Sequence, residues 1–315
     1  MLARGPVVLG IDGLALGAAD RERLLHPLVG GVILFSRNYE DVDQLSALTA
    51  QIRALRTPAL LISVDHEGGR VQRFRDGFTA IPPMRTLGDT WERDAAAAAV
   101  EARRVGGVIA RELRAQGLDF SFTPVLDVDF GRSAVIGDRA FSSDPGVIAQ
   151  LAVEFCAGLR DGGCAAVGKH FPGHGYVAAD SHLEVPVDDR PLSELLANDL
   201  VPFAALARAG MEAVMPAHVV YPAIDDRPAG FSRVWIRDIL RERLRFDGLV
   251  FSDDLGMAGA FTAGDIVARA EAAIDAGCDM VLTCNEPEAA DELLSRWAPP
   301  AQPQLAERTA RMAGR

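Results

Sequence analysis

Short runs of aliphatic and β-branched residues recur along this chain, each followed by a longer stretch in which apolar positions return every three or four residues. The runs are Val7–Leu14, Gly31–Phe35, Leu60–Val64, Phe120–Leu126, Ala165–Gly168, Ala213–Pro216, Leu249–Ser252 and Met280–Thr283. Several are apolar at consecutive positions, as strands buried on both faces are. Between them the helical period predicts helices over Asp41–Leu55, Trp91–Gln116, Pro145–Arg160, Leu192–Ala209, Arg233–Arg245 and Ala263–Ala276. Gly117, Gly210 and Gly277 follow three of these, where a left-handed residue commonly ends a helix. Eight strand–helix units imply an α/β chain folded as a (β/α)8 TIM-type barrel. A doubly wound open sheet is the competing reading, but the first run continues as GIDGLALG and not as GxGxxG. No linker or composition shift marks a boundary. Residues 1–315 therefore read as a single domain, with a short helical extension after about 300 set off by APPAQPQ at 298–304.

Composition narrows the class. Of 315 residues 49% are hydrophobic and 24% charged, enough apolar material for a large core, and with aromatics at 6% that core is aliphatic. The net charge of −12, without any Lys/Arg run, argues against nucleic acid as a partner. No uncharged stretch approaches the ~18–20 residues that span a bilayer, so no membrane partner is expected. Asp12 interrupts the apolar run near the N-terminus, and nothing there resembles a cleavage site. The cysteines (Cys156, Cys164, Cys278, Cys284) show neither CxxC nor dense spacing. The expectation is a cytoplasmic protein, acting as a monomer.

In a barrel of this kind, catalytic groups sit at the C-terminal ends of strands. Just past the apolar runs stand Asp65, Asp127, Lys169 with His170, His218, Asp253 with Asp254, and Asn285. Strands buried on both faces rarely end on Lys, His and Asp without partners, so the set is expected to converge on one mouth. Asp253 ends its strand and could serve as nucleophile, general base or metal ligand. Asp254 reads as the cap of the following helix. Lys169 could form a Schiff base, as in a lyase, or act as a cationic donor to a hydroxyl.

The densest segment is KHFPGHG at 169–175, continuing to Asp180 and His182. His170 and His174 are four apart, a zinc spacing only on a helix, and Pro172 and Gly173 argue against a helix there. No metal is expected. The glycines point instead to a shaped loop. Within it Asp180 and His182 are two apart, so in an extended segment the carboxylate lies on the same side as the imidazole and can orient it. Glu184 is a competing acid in the same loop.

These residues fall into a recognisable pattern. VDHEGGRVQRF (64–74), PVLDVD (124–129), VIGDRAF (135–141), KHFPGHG…DSH (169–182), MPAHVVYP (215–222) and FSDDLGM (251–257) occur in that order. Together they resemble glycoside hydrolase family 3, and within it the single-domain bacterial β-N-acetylhexosaminidases of peptidoglycan recycling. The resemblance implies a (β/α)8 barrel and a retaining mechanism that releases terminal β-linked N-acetylglucosamine from 1,6-anhydro-muropeptides, without metal or organic cofactor. It implies Asp253 as nucleophile, His182 as general acid/base and Asp180 as its partner. Asp65, Arg73, Arg139, Lys169 and His170 are implied as the residues that hold the sugar, with Arg70 beside them at a basic mouth. A histidine departs from the usual pair of carboxylates; as a neutral base it also leaves phosphorolysis open, alongside activity on β-glucosides. The chain departs from the family pattern at Gly256, Pro216 and Gly230, none of which is a proposed catalytic position.

Overall fold

A computed structural model describes residues 3–178 and 185–314. Among them, eight strands pair in parallel as one sheet: β1 (Val7–Gly10), β2 (Val29–Leu34), β3 (Leu61–Val64), β4 (Phe120–Ser121), β5 (Val167–Phe171), β6 (Ala213–Pro216), β7 (Leu249–Asp254) and β8 (Met280–Thr283). β1 pairs with both β2 and β8, and the order runs on to β4 at one end and β5 at the other. Parallel bridges from Phe120 to Ala165 and from Val125 to Lys169 close that last gap. The fold is a (β/α)8 TIM-type barrel.

A helix of the outer ring follows each strand: α1 (Ala18–Leu24), α2 (Val42–Arg53), α3 (Ala95–Ala115), α4 (Pro145–Asp161), α5 (Leu200–Arg208), α6 (Val234–Arg243, wound as a π-helix), α7 (Ile266–Ala276) and α8 (Pro287–Arg296). Asp41, Asp94, Asp144 and Asp265 cap four of them, each side chain accepting from an N–H of the first turn. Gly117, Gly210 and Gly277 all take positive φ at helix ends, as the sequence pattern requires.

Alternation along the strands divides the core in two. Val8, Ile33, Leu61, Phe120, Val167, Ala213, Leu249 and Met280 fill the barrel, while Val7, Leu9, Val32, Ile62, Val214 and Val250 face the helices. Phe120, Phe122 and Phe251 meet at 5.2–5.7 Å between ring centres in the interior. A further helix, α9 (Leu305–Met312), closes the N-terminal face, with Leu305 and Met312 reaching into the barrel core. The helical extension expected after residue 300 is this plug.

Several boundaries differ from the sequence reading. The helix expected over Leu192–Ala209 is two, Leu192–Ala197 and α5, because the backbone turns at Asn198 and the Asp199 carboxylate pairs with Arg190. The one expected over Trp91–Gln116 starts later, as α3 at Ala95 after the Asp94 cap, and a separate helix over Arg85–Trp91 precedes it. The strand expected over Phe120–Leu126 stops at Ser121, before Pro124, which has no N–H to donate to a ladder. Among the described residues no helix is long and apolar enough to cross a membrane.

Candidate active site

The C-terminal ends of the strands open onto a cleft of about 830 Å³. Asp65 directly follows β3, Lys169 and His170 lie within β5, Asp253 and Asp254 end β7, and Asn285 follows β8; all line the cleft. Arg73 reaches it from the segment after β3, and Arg139 from the turn before α4. The expected convergence fails at two positions. Asp127 and His218 are fully buried behind the wall, where each serves a neighbour instead of the cleft.

The centre of the arrangement is a carboxylate that the sequence reading left without a role. Glu67 accepts a two-pronged contact from Arg139 (2.8 Å each, Nε to Oε2 and Nη2 to Oε1), and the Lys169 Nζ lies 2.7 Å from Oε1. The Lys169 Nζ also donates to Asp65 Oδ1 at 2.7 Å, and Arg73 approaches Asp65 Oδ2 at 3.8 Å. Burial alone would push the Glu67 pKa up, but Arg139 and Lys169 outweigh it and hold the carboxyl well below its ordinary range. The signal was present in the sequence: Asp65 and Glu67 are two apart, hence on one side of an extended segment.

This pairing also fixes the state of Lys169. Burial would lower its pKa, yet Asp65 and Glu67 raise it above the ordinary value. A Schiff-base lysine needs the opposite shift, toward the neutral amine. With a carboxylate oxygen of Asp65 and one of Glu67 each 2.7 Å from its Nζ, Lys169 is held as the ammonium, which counts against the lyase reading. The cations of the mouth have carboxylates beside them: Asp65 and Glu67 pair with Arg73, Arg139 and Lys169, and Arg70 pairs with Asp138 at 3.7 Å.

His170 is held from behind. Its Nδ1 lies 2.7 Å from Asp127 Oδ2, while Asp127 Oδ1 accepts the His174 N–H at 2.7 Å. Burial opposes ionisation of Asp127, but His170 and His174 keep its pKa below the usual value. An ionised Asp127 can only accept, so Nδ1 of His170 carries the proton and Nε2 is left for the cleft. His174 also lines the cleft, and burial followed by the nearby His170 lowers its pKa. Among the described residues no group of three or more His, Cys, Asp or Glu stands together to hold a metal ion.

Asp253 borders the cleft, and its Oδ1 accepts the Asp254 N–H at 2.8 Å. Asp254 is not a helix cap. The following turn, Ala258–Ala263, is a 3-10 helix preceded by Met257, and Asp254 accepts from the N–H groups of Gly256 (3.0 Å) and Cys284 (3.2 Å) and from Asn285 (3.3 Å). It ties the end of β7 to the end of β8. Burial, helped by Asp253 and opposed by the Gly256 N–H, raises its pKa. Asp180, His182 and Glu184 lie outside the described residues.

A carboxylate at the end of β7, bordered by a Lys–Arg–carboxylate lattice and a backed histidine, suits a polyhydroxylated ligand. Residues 9–313 match the model of the glycosyl hydrolase family 3 N-terminal domain. The chain belongs to this family. Its relatives within family 3 include a β-hexosaminidase of Chromobacterium violaceum, 62% identical over all of this chain and 88% of that protein. Another, from Thiobacillus denitrificans, is 59% identical over 96% of this chain and 85% of its own length. Among solved structures, NagZ of Neisseria gonorrhoeae in complex with N-trifluoroacetyl-D-glucosamine superposes with a TM-score of 0.95 at 52% identity, covering 99% of this chain and 91% of that one.

Proposed function

We propose that this β-N-acetylhexosaminidase is a retaining exo-enzyme of the cytoplasm that removes terminal β-1,4-linked N-acetylglucosamine from 1,6-anhydro-muropeptides. In this reading an Asp253 oxygen attacks C1 of the sugar while the bond from C1 to the leaving oxygen breaks, and the His182 imidazolium gives that oxygen its proton. The product is a glycosyl ester on Asp253. Water then attacks C1, its proton passes to the His182 imidazole, and the ester bond breaks to regenerate the carboxylate. Asp180 orients His182 and supports its cationic form. A histidine with a pKa near ~6.5 can serve in both directions near neutral pH.

The observation that carries the reading is the placement of Asp253 beside the Asp65–Lys169–Glu67–Arg139 lattice. Lys169 and Arg139 offer donors, and Asp65 an acceptor, to sugar hydroxyls in a cleft with an apolar floor. Retaining glycosidases ordinarily use a second carboxyl about 5–5.5 Å from the nucleophile as acid/base. Here Asp65, Glu67 and Asp254 are each engaged by fixed donors, which supports giving the proton to an imidazole. The N-acylglucosamine complex of the Neisseria relative supports the choice of sugar.

Hydrolysis of an aryl β-N-acetylglucosaminide by the Asp253→Ala variant is the test. Loss of turnover, with a glycosyl-enzyme trapped by a slow fluorosugar substrate in the wild type and located on Asp253, is the expected result. Near-native activity in the variant would remove Asp253 as nucleophile. Running the wild type with and without phosphate, on natural anhydro-disaccharide and on the matching β-glucoside, fixes the acceptor and the sugar.

A further inference from the structure

We propose that Arg190 is a positioning residue for proton transfer, because its guanidinium joins the two stems of the loop that carries His182. The proposal rests on the acid/base assignment made above. The first stem leaves β5 and runs through residues 172–178. The Tyr221 hydroxyl donates to the Gly173 carbonyl, and the His174 N–H is held by Asp127 at 2.7 Å. The second stem comes back through residues 185–190. There the Val220 N–H donates to the Pro186 carbonyl and the Asp188 N–H donates to the Val220 carbonyl, both at 2.9 Å.

Arg190 touches both stems at once. Its guanidinium carbon stands 4.0 Å from the ring centre of Tyr176, on the first stem, and 4.7 Å from that of Phe130. Its nitrogens bind Asp188 on the second stem (Nη2 to Oδ2, 2.6 Å) and Asp199 at the start of α5 (Nη1 to Oδ2, 2.9 Å). Both carboxylates are 1% exposed and Arg190 is 6% exposed. A planar fork that pairs with carboxylates at its edge and stacks on rings by its face is a task for Arg and not for Lys.

The cost of this arrangement points away from plain stabilisation. A buried ion triad is often no more stabilising than apolar residues of the same volume, so what it adds is a fixed geometry. The helix break beside it serves the same contact: Pro202 cannot donate to the Asn198 carbonyl, the chain turns at Asn198, and the Asp199 carboxylate at the start of α5 reaches Arg190. Proton transfer demands an acid within hydrogen-bond reach of the leaving oxygen, and a displacement of about 1 Å can cost about 100-fold in rate. Tyr176 is two residues before Ala178 and Asp188 four after Glu184, so the clamp grips the loop close to both ends of residues 179–184.

The test measures kcat/KM on two aryl β-N-acetylglucosaminides, a dinitrophenyl one whose leaving group needs no proton and a phenyl one whose leaving group does. Tyr176→Ala removes the stacking partner while leaving the Asp188–Arg190–Asp199 pairs intact, Tyr176→Phe keeps the ring, and Arg190→Lys keeps the charge but not the fork. Tyr176→Ala and Arg190→Lys are expected to lose roughly 10- to 100-fold on the phenyl substrate and under about 3-fold on the dinitrophenyl one. Tyr176→Phe should match wild type on both. In a His182→Ala background Tyr176→Ala should cause no further loss on the phenyl substrate. Equal losses on the two substrates for Tyr176→Ala, or a full additional loss in the His182→Ala background, would overturn the positioning role while leaving His182 in place. Equal losses for His182→Ala itself would instead remove the acid/base assignment, and this proposal with it.

Discussion

Lys169 and Glu67 meet at 2.7 Å with their side chains 4% and 3% exposed, and each buried ion has one further partner, Arg139 for Glu67 and Asp65 for Lys169. Remove the carboxylate and the buried ammonium keeps Asp65 alone, while Arg139 loses both prongs of its contact. Glu67→Gln should therefore lower the unfolding free energy by about 3 kcal/mol, the usual cost of breaking a buried pair from one side. It should also raise KM for an aryl N-acetylglucosaminide at least as strongly as it lowers kcat, since the groups set adrift are those expected to hold the sugar. Urea titration and steady-state kinetics check both. An unchanged KM would mean that Arg139 and Lys169 keep their places without Glu67.

Stability should fall in two separate windows as the solution is acidified. His66 is 1% exposed, packed near Phe74 and Phe78, and burial, reinforced by Arg75, holds its pKa down to about 4. An unfolded histidine titrates near ~6.5. Between these values the unfolded chain binds the extra proton, so stability rises with pH across the window and is lost on descending through it. The full effect is on the order of 3 kcal/mol. Glu67 and Asp127 have pKa values depressed below the ordinary carboxylate range, so their contributions are present above about pH 4 and disappear below it. Urea midpoints measured from pH 7 to 3 should show both phases, and His66→Gln should shrink the upper one, leaving the part owed to the buried His174.

At the opposite end of the barrel, Arg308 of α9 binds Asp279 at 2.7 Å and Asp247 at 3.1 Å. This ion pair lies at the N-terminal face, where barrels carry stability and not chemistry. Arg308→Ala is expected to cost about 2–3 kcal/mol, somewhat less than a fully orphaned charge because Arg241 still pairs with Asp279. The kcat/KM at 25 °C should be unchanged. A variant that melts earlier but works normally would separate the plug from the site, whereas a matching fall in kcat/KM would couple them.

The barrel was legible in the sequence because a strand buried on both faces leaves no choice of residue: β2, β3, β6, β7 and β8 begin and end within two residues of their apolar runs. Where local pattern and tertiary contact compete, the pattern fails. Within Leu192–Ala209 the apolar period runs on unbroken, and the break is announced only by Asn198-Asp199 and by Pro202, which has no N–H to give the Asn198 carbonyl. The hairpin of His66–Gly68 with Val71–Gln72 is too short and too polar to register. The site divides the same way. Asp65, Lys169, His170 and Asp253 stand at strand ends and could be picked out one by one. Glu67 gains its meaning from Arg139, far along the chain, and Asp127 from His170; a carboxylate that supports another residue looks in sequence like any other carboxylate.

Two glycines near the site should respond in opposite ways to a side chain. At Gly175, the last residue of KHFPGHG, an added Cβ would stand 1.7 Å from the Val128 carbonyl oxygen, and backbone cannot yield as a flexible side chain would. Gly175→Ala must therefore push the first stem of the loop off the segment after β4, taking the His174 N–H away from Asp127. Loss of most activity, greater on substrates with poor leaving groups, together with a destabilisation of about 2–4 kcal/mol, is expected. At Gly256 the nearest atom to an added Cβ is Asp254 Oδ1 at 3.4 Å, an ordinary contact. Gly256→Ser should fold within about 0.5 kcal/mol of wild type and keep its activity within a factor of a few. Thermal melts and kinetics on the pair decide the matter: a Gly175→Ala protein as active as Gly256→Ser would show that the loop stem can shift without consequence for Asp253 or His170.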